Sequence, residues 1–156
     1  MHATWIVSAN ASRARVFVQS RSAGVLDEIS DLVHEESRMR DRDLETDAPV
    51  GERAASDSRH GAGAPTTPST YEPKQTQKEH EAEVFARQVA EFLVKAHNEG
   101  RFDKLCLVAS PEFLGMLRGL VKPKLGSTVT LEIDKDYTRA SPQELREEIR
   151  LHRFDA

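Results

Sequence analysis

Asn10, Ser12 and Arg13 directly follow one run of apolar and β-branched residues, and Ser110 and Glu112 directly follow another. If these runs are parallel neighbours in one sheet, the residues meet at the carboxyl ends of the strands, where open α/β folds hold ligands. Pro111 behind Ser110 marks a helix start, so free amides and the positive dipole end would face that crevice and suit an anion. The same residues also have plainer duties, Ser110 as an N-cap and Glu112 as a first-turn acid. Residues 1–26 hold Arg13, Arg15 and Arg21 and no acid, while Arg53, Arg59 and His60 lie farther along. Arg13, Arg15, Arg53, Arg59 and His60 are thus candidate phosphate contacts, with Asn10 and Ser110 beside them.

Other chemistries find no support in the spacing. A two-metal nuclease needs carboxylates converging from strand ends, but residues 4–9 and 105–109 contain none. His80-Glu81 lacks the second histidine of a zinc-protease helix, and Gly61-Ala62-Gly63 follows no strand, so neither motif is complete. Cys106, the one cysteine, excludes a disulfide framework; inside an apolar run it acts as a small hydrophobe. No catalytic residue, metal or cofactor is therefore assigned. A hydrolase built on the crevice near Asn10 and Ser110, closed by a loop, stays open as an alternative.

The elements that position these residues follow from the periodicity. Residues 4–9 and 14–19 read as strands joined by the turn at Asn10 to Arg13, and residues 25–33 as a third strand exposed on one side. Thr76 and Glu79 have the spacing of a capping box, and Val84, Phe85, Val89, Phe92, Leu93 and Ala96 form one helical stripe after it. Gly100 is placed to stop that helix in a left-handed turn. Residues 104–109 read as a central strand covered on both faces. A helix starts at Pro111, a strand spans residues 129–133, and Ser141 with Glu144 opens a last helix. An antiparallel meander followed by alternating helices and strands predicts an α/β fold with a mixed five-stranded sheet, in strand order 3-2-1-4-5.

The chain has 156 residues and a formal net charge of −4, the length of one α/β domain with an ordinary core. The acidic excess falls in residues 35–81. Residues 35–75 lack apolar periodicity and hold Pro49, Pro65, Pro68 and Pro73, so they read as a long, polar, flexible loop. No apolar run reaches the ~18 residues of a membrane span, and a cytosolic location is expected. Apolar sheet edges make a homo-oligomer conceivable, without a positive signal for one.

Residues 5–10 with 12–17, Ser58-Arg59-His60, residues 102–105, residues 109–118, and Lys135-Asp136-Tyr137-Thr138 together resemble the bacterial host-attachment protein family. That family is named for a protein required for attachment to host cells. It is similar to the middle domain of archaeal and eukaryotic class I release factors, which enters the ribosomal peptidyl-transferase centre. The resemblance implies that domain's ribonuclease H-like fold and a ribosome or structured RNA as partner. The release-factor Gly-Gly-Gln tripeptide is absent, Gly61-Ala62-Gly63 standing in the corresponding loop, so peptidyl-tRNA hydrolysis does not carry over. The expected function is a non-catalytic binding protein, ribosome- or RNA-associated. The alternative is a factor promoting attachment through protein contacts.

Overall fold

The computed structural model describes residues 3–20, 24–34 and 67–155. Its strands are β1 (Thr4–Ala9), β2 (Arg13–Gln19), β3 (Leu26–Val33), β4 (Lys104–Ala109) and β5 (Val129–Ile133). The helices are α1 (Thr67–Asn98), α2 (Pro111–Leu125) and α3 (Pro142–Asp155). One sheet contains all five strands in the order β3-β2-β1-β4-β5, as the sequence pattern predicts. β1 pairs antiparallel with β2 and parallel with β4, which makes the N-terminal strand the centre of the sheet.

Alternation along the central strands builds two cores. Trp5, Val7 and Ala9 of β1, with Leu105, Leu107 and Ala109 of β4, face the layer of α1 and α2, where Phe85, Leu93, Phe113 and Leu117 are buried. Ile6, Cys106 and Val108 face the other way, onto Leu145 and Ile149 of α3. A strand buried on both faces needs apolar residues at every position, which explains the unbroken run in β4. Trp5 anchors the larger core, its ring 4.8 Å from Phe102 and 6.1 Å from Phe92. Burying a large apolar side chain of this kind is worth about 1.5–3 kcal/mol.

The element ends follow their residue types. Gly100 ends α1 with φ +75°, a conformation that costs other residues strain. Ser141 and Glu144 close the reciprocal box expected of them, Ser141 N–H donating to Glu144 Oε1 at 2.9 Å and Glu144 N–H to Ser141 Oγ at 3.1 Å.

Two expectations need correction. Helix α1 begins at Thr67, so residues 67–75 belong to it rather than to a loop, and Thr76 and Glu79 lie inside it. Apolar periodicity reports a buried face, not helicity itself. Pro68 sits in the first turn, where a missing N–H costs no intrahelical bond. Ser110 precedes α2, but its hydroxyl makes no capping hydrogen bond; its carbonyl instead accepts from Leu114 N–H at 2.8 Å.

Candidate functional site

The parallel register pairs Ala9 with Ala109, so Asn10 and Ser110 leave the sheet side by side. Asn10 is fully engaged there. Its Oδ1 accepts from the amides of Ser12 at 2.8 Å and Arg13 at 3.0 Å, which folds the tight turn into β2. Its Nδ2 donates to Asp136 Oδ2 at 2.9 Å and Thr138 Oγ1 at 3.2 Å, in the loop after β5. Asp136 in turn accepts from Thr138 N–H at 2.9 Å and Thr138 Oγ1 at 2.7 Å. Burial pushes the Asp136 carboxyl upward, but the hydrogen bonds from Thr138 and Asn10 outweigh it and hold the group below its ordinary value. The groups that converge at this crevice thus satisfy one another and tie the β1–β2 turn to the β5–α3 loop.

Arg13 and Arg15 are occupied in the same way. Arg15 forms a fork onto Glu28 of β3 at 2.8 and 3.0 Å and gives Nη1 to the carbonyls of Thr138 at 3.1 Å and Ala140 at 2.8 Å. Its guanidinium also lies 5.0 Å from the Phe17 ring centre. With 12% of its side chain exposed, Arg15 has little capacity left for an external phosphate. Arg13 forks onto Asp31 at 2.7 and 2.9 Å and holds that carboxyl below its usual range. This pair is about 40% exposed on each side, so an anion could reach Arg13 only by displacing Asp31. Arg53, Arg59 and His60 lie outside the described residues.

The partners of these arginines escape a strand-by-strand reading. The available signal is the acidic face of β3, where Asp31 lies opposite Arg15 in the register and pairs diagonally with Arg13, while Glu28, opposite Phe17, pairs diagonally with Arg15. In the second basic stretch, Arg118 and Lys122 both pair with Glu132 of β5.

A concave surface lies elsewhere, between α1 and α2. A cavity of about 480 Å³ is lined by Arg87, Glu91, Val94, Lys95, Leu120 and Lys124, among others. A second of about 290 Å³ shares Arg87 and Leu120 and is bordered by Gly115 and Gly119. Both glycines are exposed, and a Cβ added at either would meet no atom within 4 Å.

Comparison with known proteins places the chain. The sequence profile described as "Protein required for attachment to host cells" matches residues 5–149. The chain belongs to this family. Membership ties it to an attachment-related role, and the matched residues take in the whole sheet except Thr4. No curated protein matches the chain. Among solved structures it is similar to the type II variant of the Aquifex aeolicus Ppx/GppA phosphatase, at 14% identity and a TM-score of 0.41. That likeness covers 85% of this chain and 36% of the phosphatase chain, so this chain spans little more than a third of its length. Among the described residues no helix is long and apolar enough to cross a membrane, and no group of three or more His, Cys, Asp or Glu could hold a metal ion.

Proposed function

We propose that the protein serves attachment to host cells by binding, its α1–α2 face receiving a helical segment of a partner protein. The observation that carries this reading is the exposed pair Gly115 and Gly119 beside the groove. An exposed glycine inside a helix costs about 1 kcal/mol relative to alanine, and no described part of this molecule uses the space it leaves. A partner backbone approaching closely would use it. The groove walls carry both signs, Arg87, Lys95 and Lys124 with Glu83, Glu91 and Glu99, around Val94, Met116 and Leu120. Mixed charge around an apolar centre suits a protein surface better than a polyanion.

The release-factor resemblance supports a ribosome or RNA role instead. That role would draw on cations other than Arg13 and Arg15, which have partners within the chain. A hydrolase at the Asn10 crevice would have to break the network that holds Asp136.

Complementation tests the proposal. Cells lacking the protein receive either the natural chain or the double variant Gly115→Leu/Gly119→Leu, which fills the groove edge. The expected result is lost attachment with the variant, although its purified form melts no lower than the natural chain. Full attachment with the variant would refute the α1–α2 reading. Ribonuclease-sensitive cosedimentation with ribosomes, unchanged by the variant, would favour the RNA role.

A further inference from the structure

Helix α3 carries Arg146, Arg150 and Arg153 at intervals of four and three residues, which places them along one stripe of its surface. The three line a cavity of about 430 Å³ together with Gln19 at the end of β2, Gly24 in the β2–β3 turn and the buried Ile149. Among the described residues no carboxylate lines this space. Among the described residues neither Arg146 nor Arg153 has an ion-pair partner, and Arg150 meets Glu147 only at 3.9 Å. Gly24, at φ +66°, leaves room for the Arg146 guanidinium, which lies 3.4 Å from where a Cβ would stand.

The helix dipole accounts for Arg153 in the last turn. It does not account for Arg146, which lies near the positive end of α3. Like charges spaced along one helical stripe repel one another, so the arrangement is best suited to a state in which an anion sits among them.

We infer that this pocket binds a small anion carrying two or more phosphate groups. Guanidinium forks match phosphate oxygens two at a time, three of them exceed the needs of a single phosphate, and the Gln19 amide adds a neutral donor. The cavity volume falls in the range of small-ligand sites. The pocket lies on the sheet face opposite α1 and α2, so the inference stands independently of the attachment surface.

Titration calorimetry on the full chain at physiological salt provides the test, with sodium tripolyphosphate, orthophosphate and a single-stranded RNA oligonucleotide as probes. The expected result is one tripolyphosphate per chain, bound about tenfold or more tighter than orthophosphate. Arg146→Ala, Arg153→Ala and Arg146→Lys should each weaken it by about tenfold, the last because an ammonium cannot form the fork. Arg118→Ala, on the opposite face, should leave it unchanged, and ligand-free melting curves confirm that each variant is folded. Absence of saturable tripolyphosphate binding would overturn the inference, as would an equal loss in Arg118→Ala. So would RNA binding with which tripolyphosphate does not compete.

Discussion

The side-chain amide of Asn10 donates to the carboxylate of Asp136 at 2.9 Å, joining two turns that lie 126 positions apart in the chain. The same side chain organises the β1–β2 turn through its Oδ1, so one residue serves both a local and a distant contact. Replacing it with alanine leaves the Ser12 and Arg13 amides and Asp136 short of a partner. Asn10→Ala should therefore cost about 2 kcal/mol of stability, read as a lower urea midpoint with an unchanged slope.

Acid should act on the same joint. Asp136 and Asp31 both have carboxyls held below their unfolded values, Asp31 chiefly by its hydrogen bond from Arg13. For a group depressed in the folded state, the stabilisation is complete above the unfolded pKa, about 4 for an aspartate, and is lost as pH falls through the folded value. Melting temperature should hold steady from neutral pH down to about pH 4 and fall below it. In Asp136→Asn the acid-side slope should be shallower.

Ser8 lies near the carboxyl end of β1, fully buried, and its hydroxyl has no hydrogen-bond partner among the described residues. Removing an unsatisfied buried hydroxyl relieves a desolvation cost without breaking a bond. Ser8→Ala should thus raise stability by about 1 kcal/mol, measured by chemical denaturation. A loss of stability would show that the hydroxyl has a role the static contacts do not display.

Gly115 and Gly119 give a prediction with opposite signs for stability and function. Each single alanine substitution adds a methyl into open space and should raise stability by up to about 1 kcal/mol. Thermal melts of the two single variants check the first sign, and attachment assays of the same strains check the second, a decrease.

The fold was legible where burial imposes a period. The alternation of Trp5, Val7 and Ala9 against Ile6, and the solid apolar run of Leu105 to Ala109, announce a central pair of strands covered on both faces. The capping box at Ser141 and the left-handed stop at Gly100 are chemical signals within a few residues, and both hold. The start of α1 was not legible, because residues 67–75 carry no apolar stripe and a proline that breaks a helix looks the same in sequence as one, like Pro68, that stands in its first turn.

The candidate site was legible only in part, for a different reason. The adjacency of Asn10 and Ser110 was legible, since strand order fixes where strands end. That Arg15 is spoken for by Glu28, Thr138 and Ala140 depends on partners 13, 123 and 125 positions away, which no local pattern encodes. Free cations look the same in sequence as paired ones. The arginines of α3 carry no local signal of a site, because their common pocket is completed by Gln19 and Gly24 from the other end of the chain.

Cys106 lies at zero exposure between the sheet and α3, and burial pushes its thiol up to about 12. An alkylating reagent therefore waits until the middle of the sheet opens, and the labelling rate reports how often that happens. The sole sulfhydryl of the chain is a built-in clock for breathing of the β1–β4 seam, readable by mass spectrometry with no engineered probe.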